Sequence, residues 1–447
     1  MTQLLQAPPP QAFAYAVPLS LQCVLLHPVA ADSKLSAVAR FLLMIIGVYS
    51  GATCTFEYGW QPRDASVGLN FVLGVGAAYA VWKAIEWGLA QDLTPYTWVG
   101  YVETKEGKAV SLNKSRTELE AIRRKQRDHD SLPDIVLWSI SLLFSMRGIG
   151  WAFGPPARSL APHGPSNSQK LIKQLLLAIL KRQIIFASMS AILLTPEQER
   201  ARHLVAFGLA PGHAAFGSRA VGTLAFGTSA CCALEMGFSI ATLLVCLSTK
   251  AMRAILPAGL KPPPFDIRAF PPIFQRPWHP ESVSTFWASQ WHSFFSASFH
   301  FLGFKPASAV VSAIFGKALG RVAGVTAVFA LSSWLHEYAL ASASNNAIAL
   351  DRTQLDFGTR YGSIIYFMSQ GFGIVLEGLF RAITGKRVSG SLGTIWAYVY
   401  IVGLGYFVYK NWSTMGLFQN LPAPQDWSWH RWVLPLATVY PRGGFVQ

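Results

Sequence analysis

Long apolar blocks constrain this chain more than any other feature of its sequence. Blocks near the roughly 20 residues that cross about 30 Å of hydrocarbon lie at residues 12–29, 38–53, 67–89, 171–194, 221–247, 307–340, 361–380 and 392–409. Charged residues make up only 13% of the chain, about half the roughly 25% of soluble domains. The sequence therefore predicts an all-α, polytopic membrane protein, with about eight transmembrane helices in one bundle.

Two apolar segments allow more than one interpretation. Residues 307–340 form either one long helix or a broken pair. Residues 135–151 are short for a span and carry Arg147 near their end, so they form either a short span or a helix lying in the membrane interface. We expect such short interfacial helices beside the bundle.

The charge pattern predicts the orientation of the chain in the membrane. The net charge is +15, but the basic residues flank apolar blocks, which is typical of cytoplasmic loops and argues against nucleic-acid binding. Because no charge precedes the first block, we expect the N-terminus outside the cytoplasm. The predicted organisation is N-terminal helices at 1–90, a polar cytoplasmic loop at 91–133, a core at 134–410 and an external tail at 411–447.

A few ionisable or reactive side chains interrupt the apolar blocks. Lys83 and Glu86 are three residues apart, so they share one helical face and are expected to pair, although both could instead reach the membrane interface. Glu235 is either paired with another helix or functional. The cysteines have no metal-ligand spacing and are expected to be packing residues without disulfides: Cys23, Cys54, Cys231, Cys232 and Cys246.

The stretch from 286 to 338 holds the strongest candidates for chemistry. Residues 286–295 read FWASQWHSFF and residues 332–338 read SSWLHEY. His336 lies within an apolar block, where a neutral imidazole can act as a general base, or can be a core histidine satisfied by a helix neighbour. His292 lies in an aromatic segment expected to form an interfacial helix. His300 follows, but no third ligand does, so we predict no metal site.

Four motifs in this order resemble those of the wax-synthase-like branch of the membrane-bound O-acyltransferase superfamily, fungal members in particular. They are RGIGW at 147–151, PPIF at 271–274, FWASQWH at 286–292 and SWLHE at 333–337. The resemblance covers about residues 130–410. Two departures stand out: Ala288-Ser289-Gln290 replaces a Gly-Arg-Arg that relatives often carry, and Ala152-Phe153 replaces the more usual Asn-Trp. The first removes positive charge beside His292.

The resemblance implies transfer of an acyl group from acyl-CoA to an alcohol. His336 matches the intramembrane catalytic histidine of the family, and His292 falls where the family has its second polar catalytic residue. His336 would deprotonate the hydroxyl, while His292 would orient a substrate or stabilise the oxyanion. The remaining motif residues expected to bind substrate are Trp287, Trp291, Trp334, Glu337 and Arg147. Acyl-CoA is the expected co-substrate, with no bound cofactor and no metal.

The substrates and the cellular location are also expectations that the resemblance implies. We favour acetyl-CoA as donor, a lipophilic alcohol of terpenoid type from secondary metabolism as acceptor, and a multi-pass protein of the endoplasmic reticulum surrounded by membrane lipids. Long-chain wax-ester synthesis is the alternative reaction. A transporter with buried histidines is the alternative of another class, although the sequence shows neither the internal repeat nor the paired broken helices that transporters often have. The sequence leaves the oligomeric state open.

Overall fold

A computed structural model describes residues 6–101, 104–105, 108–109, 114–155, 168–345 and 352–418. The all-α prediction is confirmed. The helices are α1 Ala16–Leu26, α2 Pro28–Ala31, α3 Lys34–Glu57, α4 Val67–Gly88, α5 Arg116–His129, α6 Leu132–Leu143, α7 Ser168–Leu194, α8 Glu197–Ala206, α9 Pro211–Ile255, α10 Val283–Thr285, α11 Ser296–Ser298, α12 Lys305–Phe315, α13 Lys317–Ser344, α14 Phe357–Arg360, α15 Gly362–Thr384 and α16 Gly390–Thr414. Strands β1 Thr104–Lys105 and β2 Lys108–Ala109 pair antiparallel.

Eight helical segments within the described ranges are long and apolar enough to cross a membrane, which agrees with the predicted number. They are Lys34–Glu57, Val67–Gly88, Gln169–Leu194, Pro211–Ile255, Ser296–Phe315, Lys317–Ser344, Gly362–Thr384 and Gly390–Thr414. Leu132–Leu143 is shorter, at 12 residues, or about 18 Å of helix. It is therefore too short to cross 30 Å of hydrocarbon, which favours the interfacial interpretation of this segment.

The first apolar block differs from the expected single span. Its longest helix, α1, has 11 residues, or about 16 Å, and it ends at His27 because Pro28 disfavours a helical conformation in the residue before it. The block nevertheless runs antiparallel to α3. Cys54 Sγ lies 3.2 Å from Ala12 O near one end, and Ser36 Oγ donates to Leu25 O near the other.

The block at 307–340 is a broken pair, the second of the two alternatives. Helices α12 and α13 meet at Gly316, whose φ of 86° and ψ of 166° lie in a region that only glycine adopts readily. The two helices then fold back on each other. Gly320 packs against Ser312, and Gly324 packs against Phe304.

The predicted cytoplasmic loop at 91–133 meets two further segments at one end of the bundle. Val99 N donates to Gly150 O, and Arg147 Nη1 donates to Pro271 O, so three segments are linked in series. At the other end, Asn345 Nδ2 donates to Phe56 O, and Asn411 Nδ2 donates to Thr359 O. Which end faces the cytoplasm stays a prediction.

Two features of the structure bear on the predicted organisation, which stays a prediction. Helix α5 belongs to the expected solvated loop, yet the buried Arg123 guanidinium donates to Tyr96 O and Leu26 O and so fastens the loop to the bundle. Helix α16 continues past the expected boundary at 410, with Asn411 fully buried. Most of the predicted tail, 419–447, lies outside the described residues.

The two acidic residues that the sequence singled out within apolar blocks, Glu86 and Glu235, are both paired. Lys83 Nζ lies 2.9 Å from Glu86 Oε2, and both side chains are buried, so the pairing prediction is confirmed and the interfacial alternative is wrong. The hydroxyls of Tyr96 and Ser298 each donate a hydrogen bond to the Glu86 carboxylate. Glu235 pairs with Arg182 of α7 at 2.6 Å, which gives it a structural partner. The five cysteines are all buried.

Candidate active site

The ring of His336 is oriented by its own helix. Its Nδ1 lies 2.7 Å from the carbonyl oxygen of Ser332, one turn earlier in α13. Because a carbonyl oxygen can only accept a hydrogen bond, Nδ1 carries the hydrogen in the neutral ring and Nε2 keeps its lone pair. The helix thus leaves Nε2 as the basic nitrogen.

Two aromatic rings from other helices enclose His336. Phe367 of α15 stacks on the imidazole with ring centroids 4.2 Å apart, and Trp412 of α16 stacks at 5.6 Å. The ring is half-buried. Since α13 packs against both α4 and α15, the helix presents His336 to α15 while Leu335 fills the core against α4.

Trp334 lies away from His336. Residues two positions apart on an α-helix point in nearly opposite directions, and Trp334 accordingly packs against Trp82 of α4 at 5.9 Å. The Glu337 carboxylate is bound to another residue, because its Oε2 accepts from Arg352 Nη2 at 2.9 Å. Its Oε1 is buried with no hydrogen-bond partner among the described residues. Substrate contacts for these two residues stay predictions.

The segment that carries His292 is shaped differently from the interfacial helix that was expected. Ser282 caps the single turn of α10 by accepting from Thr285 N, and the carboxylate of Glu377 accepts from Val283 N at 2.8 Å. A π-helical turn follows at 286–290, closed by Trp291 N donating to Phe286 O. Trp291 has an extended backbone, and the next helix, α11, begins only at Ser296, so no regular helix presents His292.

Arg147 holds this segment in place. Its guanidinium donates to Pro271 O at 2.5 Å, to Pro272 O at 3.1 Å and to Ser293 Oγ at 3.3 Å. Burial lowers its pKa to about 10. Because three of its hydrogen bonds go to protein groups, the structure assigns Arg147 a positioning contact and leaves substrate binding a prediction.

His292 is an uncharged hydrogen-bonding group at neutral pH. Burial, reinforced by the nearby His336 and Arg147, lowers the pKa of His292 to about 3. Phe294 and Trp291 lie next to it, with ring centroids at 5.0 and 5.4 Å. Its Nδ1 is buried and meets no hydrogen-bond partner in the part of the chain that the structure describes. A substrate group is one partner that could satisfy it.

A continuous series of rings joins the two histidines. Phe367, which stacks on His336, lies 6.3 Å from Trp287, and Trp287 lies 5.9 Å from Trp291, the neighbour of His292. The fold therefore brings four of the predicted site residues together, with Arg147 bracing their loop. Among the described residues, no ring contact or hydrogen bond joins the side chain of Trp334 or Glu337 to that of His336.

Sequence reasoning missed three residues around this site. Phe367 and Trp412 resemble any other aromatic residue of an apolar helix, so no local signal marked them. Gln370 carried a usable signal, since it is an amide within an apolar block. It is fully buried, and its Oε1 accepts from Trp287 Nε1 at 3.1 Å. The described residues contain no group of three or more His, Cys, Asp or Glu placed to hold a metal ion.

Comparison with known proteins is consistent with this geometry. A model of the Membrane bound O-acyl transferase family matches residues 270–355, a range that includes both His292 and His336. A search of curated proteins gave no match, and a search of solved structures gave none either. The family match and the eight apolar helices support membership of this integral membrane protein in the membrane-bound O-acyltransferase superfamily.

Proposed function

We propose that the protein transfers an acyl group from acyl-CoA to the hydroxyl of a hydrophobic alcohol. The observation that carries the proposal is the state of His336. Its Nδ1 is engaged by Ser332 O, its Nε2 is left as the base, and its ring lies in an apolar helix between two aromatic rings. A general base of this kind suits an alcohol that arrives from the membrane.

In the proposed reaction, His336 Nε2 takes the proton of the hydroxyl as its oxygen attacks the thioester carbonyl carbon. The carbonyl π electrons move to oxygen and form a tetrahedral oxyanion. The C–S bond then breaks, and the departing CoA thiolate takes the proton back from the imidazolium. The products are an ester and free CoA thiol, and no acyl-enzyme forms.

His292 contributes a neutral hydrogen bond in this scheme. With its pKa lowered to about 3, it carries no charge at pH 7 and can offer one ring nitrogen as donor and the other as acceptor. We assign it the orientation of a substrate or the stabilisation of the oxyanion. Trp287 and Trp291 would form the apolar wall between the two histidines.

The resemblance to the fungal wax-synthase-like branch supports narrower proposals. We propose acetyl-CoA as the donor, a terpenoid-type polycyclic alcohol as the acceptor and the endoplasmic reticulum as the location. The alcohol of such a metabolite is apolar apart from its hydroxyl, and the aromatic rings around His336 offer a matching surface.

The test compares wild type with His336→Ala in microsomes, using labelled acetyl-CoA or palmitoyl-CoA and a panel of alcohols. We expect His336→Ala to lower ester formation by about 10²–10⁴-fold, the usual range for losing a general base. His203→Ala, an exposed histidine on α8, is the matched control and should keep wild-type activity. Equal ester formation by wild type and His336→Ala contradicts the assigned base, and consumption of palmitoyl-CoA alone indicates a wax-ester synthase.

A further inference from the structure

Gln370 is a buried polar residue that the reaction scheme above does not use. It lies in α15, is fully excluded from solvent, and follows Phe367 by one helical turn. Residues three apart share a helix face, and the Phe367 ring lies 4.2 Å from that of His336. Gln370 therefore shares a helix face with the ring that stacks on His336, and its amide contacts Trp287, which belongs to the same segment as His292.

The orientation of the Gln370 amide is determined by its partner. Trp287 Nε1 lies 3.1 Å from Gln370 Oε1. An indole N–H can only donate, so it must meet the amide oxygen and cannot meet the amide nitrogen. The Nε2 amino group is consequently directed away from the indole.

That amino group has no hydrogen-bond acceptor among the described residues, although it is buried. Buried donors without a partner are rare in folded proteins, because they lose their hydrogen bonds to water and gain none in return. An oriented, unpartnered N–H one helical turn from the ring that stacks on the proposed base is an arrangement that a reacting carbonyl oxygen would complete.

We propose that Gln370 Nε2 donates a hydrogen bond to the carbonyl oxygen of the acyl thioester and strengthens that bond as the oxyanion forms. This inference rests on the proposed acyl transfer. As the hydroxyl oxygen attacks and its proton passes to His336 Nε2, negative charge collects on the carbonyl oxygen next to the Gln370 amide. Trp287 is a positioning residue, since its indole holds the amide in the donating orientation.

Kinetics test the role of Gln370 directly. We expect Gln370→Leu to lower kcat by about 10²-fold, as loss of one oxyanion donor does, with little change in KM for acyl-CoA. Trp287→Phe should lower kcat less, and the double variant should be no slower than Gln370→Leu alone.

Gln22→Leu is the matched control. This glutamine is also fully buried, but its amide donates to Arg40 O and Ala84 O. Its loss should leave the kcat of folded protein unchanged.

A binding measurement separates this role from a structural one. A CoA ketone analogue keeps the carbonyl, whereas a CoA thioether lacks it. We expect Gln370→Leu to weaken ketone binding by about 5–10-fold, the effect of one neutral hydrogen bond, and to leave thioether binding unchanged. If Gln370→Leu does not fold, Gln370→Met replaces it in the measurement, because methionine retains the side-chain length without the N–H.

The outcomes distinguish the two proposals. Wild-type kcat in the Gln370 variants, with an inactive His336→Ala, overturns the Gln370 role and leaves acyl transfer standing. Equal weakening of ketone and thioether binding also overturns it, because a purely structural role has that effect. A wild-type protein that esterifies no alcohol with any donor removes both proposals together.

Discussion

At the scale of single residues, the site is built from side chains whose orientation is set by the backbone or by one neighbour. Ser332 O selects the tautomer of His336, Trp287 selects the orientation of the Gln370 amide, and Arg147 braces the loop before His292. Such support reduces the reorganisation needed when charge develops during a reaction.

The lowered pKa of His292 predicts a loss of stability in acid. The folded-state pKa of about 3 lies below the ordinary value of 6.5, so between these values the unfolded chain binds a proton that the folded chain does not. The contribution of neutral His292 to the free energy of unfolding is fully present above pH 6.5 and is lost as pH falls toward 3. The loss amounts to at most about 1.4 kcal/mol per pH unit.

Thermal unfolding in detergent between pH 7.5 and pH 4.5 measures this effect. We expect the Tm of wild type to fall more steeply with acidity than the Tm of His292→Asn. His203→Asn, at an exposed position on α8, should follow wild type. Parallel curves for wild type and His292→Asn would show that His292 does not contribute.

Two residues show where motif-based assignment is limited. Arg147 and Glu337 lie in the motifs expected to bind substrate, yet both make ionic or hydrogen-bonded contacts within the protein. A charged residue in an apolar setting needs a partner for either role, so the sequence pattern alone cannot separate binding from support.

At the scale of elements, breaks in helices shape the bundle. Gly316 separates α12 from α13, Pro28 separates α1 from α2, and a π-helical turn interrupts the segment before His292. The break at Gly316 lets α12 fold back on α13. Irregular backbone of this kind needs protein contacts to satisfy its polar groups within a membrane.

Gly316→Ala tests the conformational requirement at the break. A Cβ at this position would meet no atom within 4 Å, so any loss of stability comes from the backbone. We expect a loss of about 1–3 kcal/mol, seen as a lower Tm in detergent.

The matched control for Gly316→Ala is Gly237→Ala on α9. Its Cβ would also meet nothing within 4 Å, but the residue is helical, so alanine should be neutral or stabilising by up to about 1 kcal/mol. An unchanged Tm in Gly316→Ala would mean that the break does not depend on glycine.

At the scale of the whole molecule, the bundle has two distinct ends. One end carries Glu281 and the Pro271 segment that leads to His292. The other end carries Gln354 and the start of α15. The charge pattern predicts that the first end is cytoplasmic, which is the side where acyl-CoA is found.

Cysteine labelling measures this orientation. In sealed microsomes, we expect a membrane-impermeant maleimide to label Glu281→Cys directly and Gln354→Cys only after permeabilisation. Both positions are exposed, and the native cysteines are all buried, so background labelling should be low. The reverse pattern would invert the predicted topology.

The sequence by itself determined the fold class and most of the apolar spans, and it marked the two histidines as candidates. The total of eight agrees because the loss of the first predicted span is offset by the division of the block at 307–340. Span length and hydropathy are local properties, and an ionisable residue in an apolar block is conspicuous without any structure. The pairing of Lys83 with Glu86 was equally predictable, because a three-residue separation on a helix is a neighbour contact.

Only the tertiary structure decided what surrounds those histidines. Phe367, Gln370 and Trp412 come from helices that follow His336 in the chain, and their contacts depend on how α13, α15 and α16 pack. Packing between apolar helices is set by the shapes of facing surfaces, with little hydrophobic drive between helices in lipid to select partners. Long-range contacts of this kind leave no periodic pattern in a single sequence.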